Sequence, residues 1–74
     1  MGNPMHCYIR IKGYLSEQWQ DWLSGVHIQA LPEGETLLSG VLSDQPALLG
    51  VMRRVGDLGL EILAIHCSQV DVVG

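Results

Sequence analysis

The spacing of apolar residues changes period several times along this chain, and that change most constrains the fold. From Met5 to Lys12, apolar and polar residues alternate, which predicts a strand with one buried face. Between Ser16 and Gly25, apolar residues including Trp19 and Trp22 recur every three or four positions. This spacing predicts a short helix that begins after Ser16 and ends at Gly25. A strand followed by a helix is therefore predicted at the start.

The middle of the chain predicts a hairpin. Residues 26–31 alternate again, and residues 36–42 are typical of a second strand. Between them, residues 32–35 read Pro-Glu-Gly-Glu, which favours a turn. The two strands are therefore expected to pair in an antiparallel manner.

A longer helix and a final strand follow the hairpin. Ser43 or Asp44 is the predicted N-cap, with proline tolerated in the first turn. Gly59 is expected to end the helix in a Schellman motif, with Leu60 folded back onto it. Residues 60–67 are nearly all apolar, which predicts the last strand.

The predicted order of elements is β-α-β-β-α-β. It predicts an α+β fold of the ferredoxin-like class, with two helices on one face of a four-stranded antiparallel sheet. The first and last strands are neighbours in that topology. The 74 residues suffice for one domain, 1–74, with an ordered core over about residues 5–67 and an unassigned tail at 68–74.

Composition argues against several classes of partner. The net charge is −4 and only four residues are basic, so nucleic acid is not an expected partner. The apolar runs fall well short of the roughly 18–20 residues that span a bilayer, so no membrane partner is expected. Two widely spaced cysteines without a signal peptide predict a reduced, cytoplasmic protein. A Cys7–Cys67 disulfide is geometrically conceivable but not expected there.

Two His-Cys dipeptides are the sharpest candidates for chemistry, since the first and last strands are predicted neighbours. Their members are His6, Cys7, His66 and Cys67. Zinc requires three or four converging ligands, but adjacent strand residues point to opposite faces. The cysteines are therefore predicted inside as core residues, and His6 and His66 outside as weak metal candidates. His27 is expected at the far edge and at the opposite end of the sheet from His6, so it cannot supply a third ligand. We therefore predict no metal site. We also predict no cofactor and no catalytic residue.

Tryptophan, aspartate and glycine recur in short motifs between Ile9 and Ile65. The motifs are Trp19-Gln20-Asp21-Trp22-Leu23-Ser24-Gly25, Gly34-Glu35-Thr36, Leu38-Ser39-Gly40, Asp44-Gln45-Pro46-Ala47-Leu48-Leu49-Gly50, Arg54 and Asp57-Leu58-Gly59-Leu60. In these motifs the chain resembles a family of small bacterial proteins of unknown function. The resemblance implies no activity and no site residues. The residues that depart from the family's pattern are Pro46, Leu49, Gly56 and Glu61.

The sheet face opposite the helices is the predicted interaction surface. Its predicted interface or ligand residues are Tyr8, Arg10, Leu37, Val41, Ile62, Ala64 and His66. Because a monomer seldom exposes a large apolar patch, we expect a second copy to cover this face. The last strand, an apolar edge strand, is an alternative route to the same homodimer.

Three functions fit this sequence. The main hypothesis is a non-catalytic homodimeric interaction or assembly module. A second is a regulatory domain that binds a small molecule at the dimer interface. The third is a small dimeric enzyme that uses His6, His66, Tyr8 or Arg10 across a shared cleft.

Overall fold

Four antiparallel strands and one α-helix form the described part of the chain in the computed structural model, which covers residues 4–23 and 25–70. The elements are β1 (Met5–Lys12), a 3₁₀ helix (Glu17–Trp19), β2 (His27–Leu31), a 3₁₀ turn (Pro32–Gly34), β3 (Glu35–Leu42), α1 (Gln45–Asp57) and β4 (Glu61–Gln69). Ser24 and residues 71–74, the end of the unassigned tail, lie outside the described residues.

The strands lie in the order β2-β3-β1-β4, so β1 has a partner on each side. Strand β1 pairs with β3 and with β4, and β2 pairs with β3 in the predicted hairpin. The alternation in β1 buries Cys7, Ile9 and Ile11 on one face, each no more than 2% exposed. Helix α1 adds Val51 and Val55 to the same core.

The ferredoxin-like prediction is wrong, because the first of its two α-helices is absent from the described residues. The segment after Ser16 forms three residues of 3₁₀ helix followed by turns. The Ser16 hydroxyl does accept the Gln18 amide, but the backbone bonds that follow mix three-residue and four-residue spacings. So short a segment forms too few hydrogen bonds to offset the unfavourable free energy of helix nucleation. Of its apolar residues only Leu23 is fully buried, whereas Trp22 stays exposed.

Helix α1 begins and ends as predicted. The Asp44 carboxylate accepts the Ala47 amide at 2.9 Å, which satisfies one of the free N–H groups of the first turn. At the other end Gly59 adopts φ 77°, and the Leu60 amide donates to the Val55 carbonyl at 3.2 Å. These contacts form the Schellman motif that directs the chain from α1 into β4.

A buried hydroxyl joins the loop after β1 to β3. The Thr36 side chain is fully buried; its Oγ1 donates to the Gly13 carbonyl at 2.6 Å and accepts the Leu15 amide at 3.2 Å. Gly13 itself has φ 112°, which favours glycine. Thr36 therefore satisfies two backbone groups that no strand pairing reaches.

Strand β4 contains one extra residue relative to β1. Ala64 lies opposite Arg10, but Ile62 lies opposite Ile11, so Leu63 is a β-bulge. The bulge turns Ile62 towards the helix side, where it packs against the core. The prediction that Ile62 lies on the open face is therefore wrong, because regular alternation does not continue through residue 63.

Cys7 and Cys67 form a disulfide, contrary to the prediction of two free core thiols. They lie directly opposite each other on β1 and β4, with their Cα atoms 4.1 Å apart. The prediction relied on the expected compartment, whereas the strand register itself brings the two sulfur atoms together.

We expect Thr36→Val to lower the free energy of unfolding by about 1–3 kcal/mol, because the Gly13 carbonyl and the Leu15 amide lose their partner. Urea denaturation measures this change. Thr36→Ser is the matched control: it keeps the hydroxyl and should lose only about 0.8 kcal/mol for the missing methyl group. Equal losses in the two variants would contradict the assigned role of the hydroxyl.

We expect the double variant Cys7→Ala with Cys67→Ala to be less stable by about 4 kcal/mol, because the bond closes a loop with a sequence separation of 60. For a domain of this size the melting temperature should fall by roughly 15–30 °C. Thermal melts followed by circular dichroism measure it. The melting temperature of the reduced wild-type chain should be close to that of the double variant. If reduction leaves the melting temperature unchanged, the disulfide does not stabilise the fold in this way.

Candidate interaction site

The open face of the sheet carries six of the seven predicted interface residues. They are Tyr8, Arg10, Leu37, Val41, Ala64 and His66. Arg10 pairs with Leu37 on one side and with Ala64 on the other, and Tyr8 pairs with His66. Residues opposite each other in an antiparallel pair share a face, so the register places these side chains together.

Polar side chains separate the apolar ones on this face. Val41 is 60% exposed but lies opposite His6. Arg10 forms an ion pair with Glu35, with Nε and Oε1 3.4 Å apart, and this largely solvated pair adds little stability. Because Ile62 packs against the core, the open face is mixed in polarity, and polar side chains interrupt the apolar patch that was predicted at its middle.

The histidines do not assemble a metal site. The rings of His6 and Tyr8 are 4.7 Å apart, and His66 lies opposite Tyr8. His27 pairs with Ser39, which in turn pairs with Tyr8, so the prediction that it lies at the opposite end of the sheet is wrong. It is still two strands away from Tyr8, about 10 Å. No group of three or more potential ligands converges within residues 4–23 and 25–70.

Strand β4 is an edge strand whose second half, after the bulge at Leu63, lacks the usual protection of such edges. Its Ala64–Gln69 segment has no proline and no Asp, Glu, Lys or Arg. Natural proteins normally use short strands, charges, prolines or bulges to prevent pairing at an edge. The other edge, β2, has only five residues and runs directly into Pro32. The two edges of the sheet therefore differ in how readily they accept another strand.

The register also shows which backbone groups of β4 have no strand partner within residues 4–23 and 25–70. The Val70 amide donates to the Pro4 carbonyl at 3.1 Å, so residues of the same parity, such as His66, direct their backbone groups towards β1. The 4.1 Å separation of the Cys7 and Cys67 Cα atoms is typical of a pair without mutual hydrogen bonds. Ile65 and Cys67 therefore direct their N–H and C=O groups away from β1, towards the open edge.

An apolar groove of about 480 Å³ lies beside this edge on the helix side. It is lined by Met5, Gln45, Leu48, Leu49, Ile65 and Cys67. Leu49 on α1 is 61% exposed and Ile65 on β4 is 39% exposed, so two large aliphatic side chains border the groove in contact with water. We call β4 residues Ala64–Gln69 together with Leu49 the edge surface.

Sequence reasoning identified the apolar edge strand but missed the groove. Ile65 lies opposite the buried Ile9 and faces the same side of the sheet, yet its side chain is 39% exposed. Leu49 offered a signal, because it lies outside the apolar stripe that Leu48, Val51 and Val55 form on α1. An exposed leucine outside the apolar stripe of a helix is a useful marker when it lies next to an edge strand.

Several residues that carry the family resemblance have structural roles. The Arg54 guanidinium donates to the Trp22 carbonyl at 2.5 Å and lies 5.7 Å from the centre of its indole. This contact joins the turn that contains Trp22, just after the 3₁₀ helix, to α1. Asp44 caps α1 and Gly59 ends it. These positions are accounted for by folding and require no chemistry.

The chain belongs to the family described as Domain of unknown function (DUF8691), which matches residues 6–66. The match extends from the first His-Cys dipeptide to His66 and so includes all four strands at least in part. No curated protein and no solved structure shows detectable similarity to the chain. Among the described residues, no helix has the length and apolar character needed to cross a bilayer.

Proposed function

We propose that this chain is a non-catalytic homodimeric interaction module in which two copies pair through β4. The observation that carries the proposal is the uncharged edge segment Ala64–Gln69, in which the backbone groups of Ile65 and Cys67 point away from β1. Antiparallel addition of the partner's β4 would satisfy those groups and extend the sheet from four strands to eight.

A second copy is the occupant best matched to this edge. The chain carries a net charge of −4, so two copies repel each other over most orientations. The edge surface has no formal charge, so a two-fold contact there avoids placing like charges opposite each other. Leu49 and Ile65 flank the same edge, and a copy placed there would remove them from water.

Pairing through the edge is favoured over face-to-face contact of the open sheets. Covering the open face would desolvate Arg10, Glu35 and the imidazole of His6, which lie among its apolar residues. Edge pairing leaves those groups in water. The two routes left open by the sequence are therefore not equally supported.

We expect the purified chain to run as a dimer, with twice the 8.1 kDa mass of one copy, in size-exclusion chromatography with light scattering. Leu49→Lys and Ile65→Lys each place a charge in the contact and should raise the dimer dissociation constant more than about tenfold. Leu49 lies on the helix surface, so its variant should keep the fold, which circular dichroism verifies. Val41→Lys, at an exposed position on the open face, is the matched control and should remain dimeric.

Two outcomes would contradict the proposal. A wild-type chain that stays monomeric at all accessible concentrations would overturn the homodimer itself. A dimer that Val41→Lys dissociates and Leu49→Lys leaves intact would move the interface to the open face.

The groove supports a second candidate function, the binding of a small molecule at the dimer boundary. Its volume lies within the range of small-molecule sites, and its lining is apolar except for the Gln45 amide. Such a lining fits a short alkyl chain with one polar end group.

Octanol and indole are suitable probes for this groove. At a concentration of about a hundred times its dissociation constant, a bound probe stabilises the fold by about 2.7 kcal/mol, which raises the melting temperature by roughly 10–20 °C. Leu49→Lys should abolish the shift and Val41→Lys should keep it. A shift of the same size in both variants would place the probe elsewhere, and no shift in the wild type would count against the groove as a ligand site.

The enzyme alternative draws no support from the geometry. Its residues His6, Tyr8, Arg10 and His66 lie on the open face, whereas the groove lies on the helix side of the sheet. A cytoplasmic location and a bacterial source are proposals from the sequence alone. In a reducing cytoplasm the Cys7–Cys67 bond would be exposed to thiols.

A further inference from the structure

Cys67 belongs to three features of the molecule at once. Its sulfur is bonded to Cys7, its side chain lines the groove, and its backbone groups face the free edge of β4. Any strand that pairs with β4 would therefore pass directly beside the disulfide.

The two sulfur atoms differ in their access to solvent. Cys7 lies on an internal strand and is 2% exposed, whereas Cys67 lies on the edge strand and is only half-buried. On the far side of Cys7, β3 carries Gly40, where a Cβ atom would already lie 3.4 Å from the Val26 Cα atom. Val26 therefore packs close to Gly40 on that side, whereas Cys67 borders an open groove.

Thiol–disulfide exchange makes this difference important. An attacking thiolate approaches one sulfur along the line of the S–S bond, from the side opposite the sulfur that leaves. The bond runs across the sheet from β1 to β4. Attack at Cys67 therefore comes from the groove and the edge, whereas attack at Cys7 would have to come through the core.

We propose that dimerisation through β4 shields Cys67 and so protects the disulfide, and that reduction of the disulfide weakens the dimer in return. This inference rests on the proposed function, because the shield is the second copy. The two effects are distinct: the shielding of Cys67 lowers the rate of attack, whereas reciprocity holds at equilibrium, where a dimer that is tighter for the oxidised than for the reduced chain disfavours reduction by the same free energy. Physically, loss of the bond releases the end of β4 from β1, and β4 is the strand that the partner needs in a fixed position.

The reaction is an ordinary two-step reduction by a low-molecular-mass thiol such as glutathione. Its thiolate attacks the Cys67 sulfur, a mixed disulfide forms, and the Cys7 sulfur leaves as a thiolate that takes a proton from water. A second glutathione thiolate attacks the glutathione sulfur of that mixed disulfide, releasing oxidised glutathione and the Cys67 thiolate. Two glutathione molecules are thereby oxidised and one protein disulfide is reduced.

The decisive measurement is the rate of disulfide reduction by glutathione at protein concentrations below and above the dimer dissociation constant. Iodoacetamide stops the exchange by alkylating free thiols. Mass spectrometry then measures the mass of the chain, which increases by one label for each free cysteine. We expect the wild-type rate to fall at least about tenfold as dimer forms. The Leu49→Lys variant, which has the same disulfide and a weaker dimer, should keep the fast rate at concentrations where the wild-type chain is already dimeric.

Failure of this inference can be distinguished from failure of the proposed function. If light scattering detects the dimer but the reduction rate does not depend on concentration, the inference is overturned and the dimer stands. If no dimer forms at any concentration, both fall. Peptide mapping of the first mixed disulfide in the Leu49→Lys variant tests the site of attack separately: glutathione on Cys67 supports the inference, and glutathione on Cys7 overturns it.

Discussion

The alternation of side chains in β1 is the constraint on which the rest of the structure depends. This strand is paired on both sides, and its buried residues Cys7, Ile9 and Ile11 determine which face of β3 and β4 is turned inward. Paired residues share a face, so Leu38 and Ile65 face the same side of the sheet as Ile9, their common partner. A slip of one residue in β1 would turn its buried residues to the open face and its polar residues into the core.

The bulge at Leu63 resolves a conflict between that constraint and the sequence of β4. Ile62 and Cys67 are five positions apart, so a regular strand would place them on opposite faces. With one extra residue between them, Ile62 reaches the core opposite Ile11 and Cys67 still reaches Cys7. The bulge therefore allows the disulfide and the apolar contact to form on the same side of the sheet. It also confines the regular part of the edge to the segment that follows it.

Elements with strong local signals could be predicted from the sequence, and elements determined by packing could not. Strand β1, the hairpin and α1 with both of its caps depend on neighbouring residues, and all were predicted. The segment around Trp19 has a helical spacing, but too few of its side chains are buried to hold a helix. The bulge could not be predicted either, because the sequence around Leu63 contains no residue that indicates a bulge. That single irregularity placed Ile62 on the wrong face and made the open face look more apolar than it is.

At the edge formed by β4, affinity for another strand and selectivity among strands come from different groups. Backbone groups on β4 can pair with almost any extended chain, since hydrogen bonding along an edge does not depend on side-chain identity. Selectivity must therefore come from side chains beside the edge, and Leu49 and Ile65 are the exposed aliphatic ones there. An unrelated strand would leave Leu49 and Ile65 in water or place a charge against them. A second copy related by a two-fold axis would instead place its own Leu49 and Ile65 at the same contact. In the proposed dimer the groove would restrict which strand pairs with this edge, and the disulfide beside it joins β4 to β1 in a fixed register.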